Sequence, residues 1–540
     1  MTSTHDERRR GHYKKPRSGH NRPMTQYLGI DASTQSVTGM IIDVDTNTTI
    51  AETAINFDEH FAKVYGVTHG VIDYGDGVIH SCPLMWVEAL ELLFTTLRRD
   101  GHDLSRIRAI SGSGQQHGTV YLNDQAQTSL GSLTARSPLH EQLFGIFSRP
   151  TAPIWMDSST SHQCAEIERS IGGTDTLVKL TGNRTFERFS GPQVRRFYQR
   201  DPAAYEQTAH ISLVSSFIAS VLVGETVPID AGDGSGTDLM DIRSRQWSAQ
   251  ALTVTAPDLG QKLLPIARSD DAIGTIHQYF VERYGFDVGC QVFPFSGDNP
   301  CSLIGLGLVE AGAAALSLGT SDTLFACTGD AVNAAPDEAC LFSSPDDQHY
   351  MALICFMNGS LAREAVRNAH HLDWSGFTQA LATSSPGNGG ALMLPYFNDE
   401  IVPHAQAGVI RSKLNANDAM SNVRAVVEAQ ALSSRLHTQW LDAAGPLHVT
   451  GGGSANAEIL KIFADVQGRQ VYCCDTTNAA ALGAALKACH GDHPDAPWSD
   501  IVAPFTTARL VIDPDPDTRG MYDDLLDRYQ KLESKRLGAG

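Results

Sequence analysis

The turn "SGDNP" places Asp298 and Asn299 directly after Gly297, between an apolar strand and a helix. A carboxylate in such a turn can take a proton from a bound hydroxyl group, and the adjacent amide can orient the same ligand. The structural alternative is that Asp298 is the N-cap of the helix, where Asp is preferred and where Pro300 suits an early helical position. Both can hold, because a helix N-terminus favours the ionised carboxylate. The spacing alone leaves the two readings open.

Further polar side chains stand in glycine-flanked turns or beside aromatic residues. They occur in "GSGQQHGTVYL", "PIWMDSST" and "GNRTFERFSG", as Gln116, His117, Trp155, Asp157, Arg184 and Arg188. Such groups offer hydrogen-bond donors, acceptors and an aromatic face to a polyol. Each also has a structural interpretation: a surface histidine, a tryptophan at the edge of the core, or an arginine in an ion pair.

Two hairpins follow the same plan in distant parts of the chain. In "GIDASTQSVTG", Asp31 ends a strand and Thr34 and Gln35 lie in the turn; in "LSLGTSDTLF", Gly319 and Thr320 hold the turn. A carboxylate at a strand end can hold hydrated Mg²⁺, and the N–H groups of a turn can contact phosphate oxygens. One hairpin alone is an ordinary turn. Two copies indicate a duplicated architecture with a nucleotide cleft between its halves.

A glycine-rich turn, "TGGGSANAEILK", precedes a helix that starts near Asn456. Gly451 and Gly452 allow close approach of the backbone to a ligand, and the helix adds its positive end. The string matches neither the Walker A pattern nor the Rossmann G-x-G-x-x-G pattern, so those folds lose support. A purely structural turn explains it equally well.

These residues are positioned by strands and helices that alternate through both halves, which predicts an α/β protein. Trp86, Leu90, Leu93 and Leu97 form the apolar stripe of one amphipathic helix. Residues 211–224 are apolar but short and interrupted by serines, which predicts a buried helix and no membrane span. The boundary between two domains is expected between residues 293 and 310. A short charged helix near residues 522–535 is expected to lie in a peripheral appendage.

The composition limits the partners. The chain has 540 residues, 42% of them hydrophobic, which suffices for two or three domain cores. A net charge of −20 argues against nucleic acid as the main partner, because phosphate contacts need clustered Lys and Arg. Ten cysteines without a C-x-x-C pair or metal-ligand spacing are typical of reduced thiols in a cytoplasmic protein. Residues 1–24 carry seven basic residues and predict a disordered basic tail, with patterned sequence from Met24 onward.

Ten blocks in order resemble the FGGY carbohydrate kinases of the actin-like ATPase superfamily: "GIDASTQSV", "SGSGQQHGTVYL", "PIWMDSSTSHQC", "RTFERFSG", "ISLVSSFIAS", "DGSGTDLMDI", "SGDNP", "LSLGTSDTLF", "QHYMALICFMNGS" and "TGGGSANAEIL". The resemblance spans residues 27–491. It implies two duplicated actin-like ATPase (ribonuclease H-like) domains with an interdomain cleft: residues 25–300 for the sugar, 301–491 for the nucleotide and 492–540 as an appendage. Among the members it favours the longer ones acting on D-xylulose, and it implies transfer of the ATP γ-phosphoryl group to the 5-hydroxyl with Mg²⁺ present.

The resemblance also implies roles for single residues. Asp298 falls on the family's catalytic base, and Asp31 on its metal and phosphate aspartate. The sugar contacts would be Gln116, His117, Asp157, Arg188, Asp298 and Asn299. The nucleotide contacts would be Thr34, Gln35, Gly319, Thr320, Trp374, Gly451, Gly452 and Asn456. The sequence departs from many relatives at Thr38, where they carry a basic residue after the first phosphate turn.

Alternatives remain at this level. The substrate could be another sugar or polyol such as ribulose, fuculose or glycerol, because pocket stereochemistry is not readable from one sequence. A non-catalytic, nucleotide-gated binding protein of the same superfamily is disfavoured by the Gln116-His117 and Asp298-Asn299 pairs, which such a protein does not need. We expect a monomer or homodimer.

Overall fold

The structure is a computed structural model that describes residues 25–329, 339–441, 443, 445–474 and 478–538. The basic tail predicted over residues 1–24 lies outside them. Among the helices of these segments, none has the length and apolarity needed to cross a membrane.

The first half of the chain builds a seven-stranded sheet. Its strands are β1 (Gln26–Ala32), β2 (Ser36–Asp43), β3 (Thr48–Asn56), β4 (Ile107–Gly114), β5 (Gly274–Thr275), β6 (Gln291–Val292) and β7 (Ser296–Gly297). The order is β5-β6-β4-β1-β2-β3, and β7 also pairs with β4. β1, β2 and β3 are antiparallel neighbours, whereas β4 runs parallel to both β1 and β6. β1 and β4 are buried along nearly their whole length, as expected for central strands.

The second half repeats this arrangement. Its strands are β8 (Ala314–Leu318), β9 (Asp322–Thr328), β10 (Cys340–Ser343), β11 (Tyr350–Phe356), β12 (Leu447–Thr450), β13 (Val471–Cys474) and β14 (Ala508–Ile512), in the order β10-β11-β9-β8-β12-β13-β14. β8, β9 and β11 are antiparallel, and β12 runs parallel to β8 and β13. Five strands therefore correspond in order and direction, β1, β2, β3, β4 and β6 with β8, β9, β11, β12 and β13, and the predicted duplicated α/β architecture is confirmed.

Helices cover the two sheets. The principal ones are α1 (Pro83–Arg99), α2 (Asp298–Gly305), α3 (Ser360–Ala369), α4 (Trp374–Thr383), α5 (Ala419–His437), α6 (Ala457–Gln467), α7 (Ala479–Asp492) and α8 (Arg519–Leu537). All four apolar positions predicted for α1 are fully buried in the first core. The buried helix predicted near residues 211–224 is observed at Val214–Val223. α6 ends at Gly468, whose φ of 63° is the left-handed C-cap expected of glycine.

The smaller elements are short. The helices are Phe57–Tyr65, Ala126–Gly131, Leu139–Leu143, Ser161–Ile171, Thr174–Thr181, Ser190–Arg200, Pro202–Glu206, Ala231–Gly234, Ala249–Thr255, Leu259–Lys262, Gln278–Tyr284 and Trp498–Val502. The strands are Ile72–Asp73, Ile79–Ser81, Thr119–Leu122, Ala152–Pro153, His210–Leu213, Ile229–Asp230, Met240–Asp241, Gln246–Trp247, Ile266–Ala267, Leu392–Leu394 and Ile410–Ser412.

Helices α2 and α7 cross between the sheets in close contact. A Cβ atom on Gly483 would lie 1.8 Å from the carbonyl oxygen of Cys301, and one on Gly305 would lie 1.9 Å from that of Ala479. α7 also packs on β1, where a Cβ on Gly29 would lie 2.0 Å from the Ala481 carbonyl oxygen. The small residues of α7 thus serve close backbone packing against the first sheet, although the sequence assigned this helix to the second domain.

The C-terminal segment corrects one prediction. Residues 492–540 were expected to form a peripheral appendage with a short charged helix. Instead, β14 extends the second sheet, and α8 is a 19-residue helix that places Tyr522 and Tyr529 in the second core with no exposed surface. Most charges of α8 lie on its outer face, which masked the buried stripe in the sequence pattern, and only Glu533 lies on the buried side.

Candidate active site

Asp298 is the first residue of α2, and the N-cap position belongs to Gly297. The N-cap role considered for Asp298 is therefore wrong, although the side chain still lies in the first helical turn. Its Oδ1 accepts hydrogen bonds from the backbone N–H groups of Asn299 (2.9 Å) and Gln116 (3.3 Å). Burial raises the pKa of Asp298 to about 6, while these N–H donors act in the opposite direction. The carboxylate is thus mostly ionised at neutral pH and still a competent base.

Gln116 and Asn299 surround this carboxylate with amides. The Asn299 Nδ2 group donates to Gln116 Oε1 (2.9 Å) and to Asp298 Oδ1 (3.2 Å). Gln116 Nε2 is buried and has no hydrogen-bond partner in the protein. A Cβ atom at Gly297 would lie 2.4 Å from Gln116 Cγ, so only glycine permits this approach. The orphaned amide beside this carboxylate is a donor that a ligand hydroxyl can use.

His117 is buried and neutral. Its Nδ1 lies 2.7 Å from the carbonyl oxygen of Gly236, so Nδ1 carries the proton and Nε2 keeps a lone pair. The ring stacks on Phe189 with 4.3 Å between centroids. Burial, and then the charge of Arg188, lower the pKa of His117 to about 3. His117 can therefore accept a hydrogen bond from a hydroxyl group without carrying charge, and Arg188 lies close by against Phe186.

Asp157 does not join this group. Its side chain is fully buried and accepts hydrogen bonds from the backbone N–H groups of Ile79 (3.1 Å) and Ser159 (3.0 Å) and from Gln193 Nε2 (2.8 Å). Both carboxylate oxygens are engaged in holding loops together. The carboxylate is therefore used within the protein, and the sugar contact at Asp157 stays a prediction.

Thr34, in the first hairpin turn, is tied to the neighbouring loops. Its hydroxyl group accepts a hydrogen bond from the Trp155 indole N–H (2.8 Å) and donates one to Gln115 Oε1 (3.2 Å). Gln115 Nε2 is buried without a protein partner. The hydroxyl proton of Thr34 is therefore engaged, which leaves backbone groups as donors for phosphate at this turn. Gln35 is exposed beside it.

Asp31 lies close enough to Asp298 for the two carboxylates to interact. Its Oδ1 accepts a hydrogen bond from Ser113 (2.7 Å), and burial together with the charge of Asp298 raises the pKa of Asp31 to about 7. Two repelling, partly buried carboxylates are the donor chemistry of a divalent cation site. The residues present thus fit a Mg²⁺ ion held by Asp31.

A pocket of about 250 Å³ opens beside Asp31 between the two sheets. Residues from both halves line it, including Ser302 of α2, Ser317 at the end of β8 and Thr450 at the end of β12. Because Ser317 and Thr450 are paired across parallel strands, the second hairpin and the glycine-rich turn emerge together. The pocket therefore brings Asp31 of the first half next to the strand ends that lead into both candidate phosphate loops of the second half.

The second hairpin is anchored by an ion pair that the sequence did not indicate. The guanidinium group of Arg363 contacts both oxygens of Asp322 (2.9 and 3.0 Å), and both side chains are buried. The carbonyl oxygen of Gly319 accepts a hydrogen bond from the N–H of Ser360 (2.9 Å). The partners lie 41 residues apart along the chain, so no local pattern could have joined them.

The comparisons with known proteins fit this arrangement. Models of the FGGY family of carbohydrate kinases match residues 150–305 (N-terminal domain) and 314–491 (C-terminal domain). A xylulose kinase of Mus musculus is 41% identical and covers 94% of both chains; xylulose kinase 2 of Arabidopsis thaliana is 40% identical and covers 87% of this chain and 88% of its own. The chain belongs to the FGGY family of carbohydrate kinases.

Solved structures share the fold of this FGGY protein. The xylulose kinase from Rhodospirillum rubrum superposes with a TM-score of 0.81 at 20% identity, over 94% of this chain and 98% of the other. The glycerol kinase of Plasmodium falciparum with ADP gives 0.76 at 18% identity, over 94% and 97%. At such identities the likeness concerns architecture alone.

The remaining predicted nucleotide residues of the FGGY chain lie at the starts of two neighbouring helices and in two loops. Trp374 begins α4, with 44% of its surface exposed, and Asn456 caps α6 through its Oδ1. Asn456 Nδ2 donates to Thr378 Oγ1 of α4 (2.8 Å), which ties the two helices together. Gly451, with φ of 84°, packs against the end of β8, where a Cβ would lie 2.8 Å from the Leu318 carbonyl oxygen. Thr320 and Gly452 are exposed at the loop tips.

Proposed function

We propose that this protein transfers the γ-phosphoryl group of ATP to the 5-hydroxyl of D-xylulose, giving D-xylulose 5-phosphate and ADP. The single observation that carries the proposal is the position of Asp298: a partly buried carboxylate between two amides, near Asp31 and the pocket into which both halves of the fold converge. Relatives named xylulose kinase, about 40% identical over nearly the whole chain, support the choice of sugar.

The proposed mechanism assigns one task to each group. Asp298 accepts the proton of the attacking hydroxyl as it bonds to the γ-phosphorus, because an alcohol is a poor nucleophile until its proton is removed. The Nε2 atom of His117 accepts a hydrogen bond from another sugar hydroxyl, and the amides of Gln116 and Asn299 orient the sugar. Arg188 completes this side of the pocket. Closure of the two halves excludes water, which would otherwise compete as acceptor.

Asp31 would hold Mg²⁺, which neutralises charge on the phosphate oxygens when bound. The backbone groups at Gly319 and Gly451 would contact the phosphates, and Trp374 with Asn456 would face the adenosine. In this proposal residues 25–300 bind the sugar and residues 301–491, completed by β14 and α8, bind the nucleotide. A cytoplasmic location and a monomeric or dimeric state stay predictions.

The proposal is tested with a panel of acceptors in a coupled ADP-release assay. We expect kcat/KM for D-xylulose to exceed that for D-ribulose, its epimer, and for glycerol by at least about tenfold, because a misplaced hydroxyl leaves buried polar groups unpaired. 5-Deoxy-D-xylulose, which lacks the acceptor oxygen, serves as the matched control and should compete without being phosphorylated. Equal turnover of the two ketoses would refute the assignment to xylulose but not the kinase chemistry.

A further inference from the structure

A fully buried ion pair lies behind the catalytic turn. Lys487 of α7 and Asp230 have 1% and 0% of their side chains exposed, and 3.3 Å separates Nζ from Oδ2. Lys487 also donates a hydrogen bond to the carbonyl oxygen of Pro294, just before β7. Removing two charges from water is costly, so such a pair is weak evidence for a stabilising role. Its contacts indicate what else it does.

Asp230 connects three segments of the chain. Its Oδ1 accepts hydrogen bonds from the N–H of Gly232 (2.8 Å) and the hydroxyl group of Ser296 (2.5 Å). Its Oδ2 accepts a hydrogen bond from the hydroxyl group of Ser269 and also contacts Lys487. Ser296 lies in β7, two residues before Asp298, so its hydrogen bond to Asp230 Oδ1 holds the chain just ahead of Asp298.

Residues close to Asp230 reach the other parts of the site. The turn that begins at Asp230 continues to Gly236, whose carbonyl oxygen holds the Nδ1–H of His117. The N–H of Ser269 donates to Asp347 Oδ2 (2.8 Å), in the loop between β10 and β11 of the second sheet. Asp230 therefore contacts β7 and the crossing helix α7 directly, and it is linked to His117 and to a loop of the second half through neighbouring residues.

We propose that Asp230, held by Lys487, is a positioning residue that sets the place of Asp298 through the hydroxyl of Ser296. The inference rests on the proposed function, in which Asp298 is the base. A carboxylate in hydrogen-bond reach of an alcohol tolerates little displacement, since a shift of about 1 Å can cost about a hundredfold in rate. The hydrogen bond from Ser296 to Asp230 and the one from Lys487 to the Pro294 carbonyl oxygen hold the segment that leads to Asp298.

Ser296→Ala tests the proposal because it removes the hydrogen bond between β7 and Asp230 and leaves the Lys487–Asp230 ion pair intact. Ser220→Ala is the matched control: Ser220 is equally buried and its hydroxyl also makes hydrogen bonds, to the carbonyl of Ser216 and from the N–H of Val227. We expect kcat of Ser296→Ala to fall about tenfold with KM for ATP within twofold, while Ser220→Ala keeps its kcat. Both should lower Tm by similar amounts. Equal kcat values for the two variants, whether normal or reduced, would overturn the proposal.

Lys487→Met gives a second measurement, because it removes the support of Asp230 and not the hydrogen bond itself. For this variant kcat should again fall by a larger factor than the affinity for ATP. If Lys487→Met does not fold, Ser296→Ala alone still tests the proposal. Asp298→Asn separates the two claims. If Asp298→Asn is inactive while Ser296→Ala is normal, the positioning role fails and the base stands. If Asp298→Asn keeps its turnover, the base fails, and the positioning role fails with it.

Discussion

Asp298→Asn should make the protein more stable and nearly inactive at once. Asn is isosteric with Asp, and its Oδ1 can still accept the backbone N–H groups of Gln116 and Asn299. The reverse amide orientation would bring its NH₂ group against three donors, these two N–H groups and the Asn299 Nδ2 group, so the side chain should keep its place. The substitution thus removes the charge and the basicity and leaves the packing unchanged.

The magnitude of the stability change follows from the pKa. Burial raises the pKa of Asp298 from its usual value near 4 to about 6. Each pKa unit is worth about 1.4 kcal/mol, so the ionised carboxylate costs the folded state roughly 2–3 kcal/mol at pH 7. Because the folded pKa is the higher one, this cost is full above pH about 6 and vanishes below pH about 4. The Asn variant should gain stability only where the carboxylate is ionised.

The loss of the base should lower kcat by about 10²–10⁴-fold, which is about 3–5 kcal/mol of transition-state stabilisation. Nucleotide binding should persist, because the candidate nucleotide loops belong to the second half of the fold. The assay combines coupled ADP release, calorimetric titration with an ATP analogue, and Tm measured between pH 4 and pH 8. A kcat within threefold of the parent would refute the role of base. A Tm below that of the parent at pH 7 would refute the account of the pKa.

Two further predictions concern pH and the second hairpin. At saturating ATP, kcat/KM for the sugar should fall as the pH is lowered, with a midpoint near pH 6, because a protonated Asp298 accepts no proton. A midpoint near pH 4 would mean that burial does not raise the pKa of Asp298. Arg363→Met should cost about 3–5 kcal/mol of stability and raise KM for ATP, since it leaves Asp322 buried without its partner. Substituting Asp322→Asn as well should restore part of the stability, and a single variant that loses less than about 1 kcal/mol would contradict this reasoning.

Local patterns carried much of the architecture. The 3.6-residue stripe of α1, the C-cap at Gly468 and the repeated hairpin each depend on neighbours a few residues away, so the sequence was sufficient to predict them. The duplicated hairpin also predicted two equivalent halves, which the strand orders confirm. Helix α8 was misjudged because its charges are local, whereas the core that buries Tyr522 comes from other segments.

Motif chemistry raised Asp298, Asn299 and the Gln116-His117 turn as candidates, because a polar side chain in a glycine-flanked turn can meet a ligand, and the family resemblance favoured this reading over the structural one. Only the tertiary structure brought them together, and only it shows that the oxygens of Asp157 are engaged by Ile79 of a strand, Ser159 of a loop and Gln193 of a helix. The raised pKa of Asp298 likewise depends on what covers the carboxylate. The burial of a side chain, and contacts between residues 41 or more positions apart, depend on how the whole chain packs. They can be identified only from the tertiary structure.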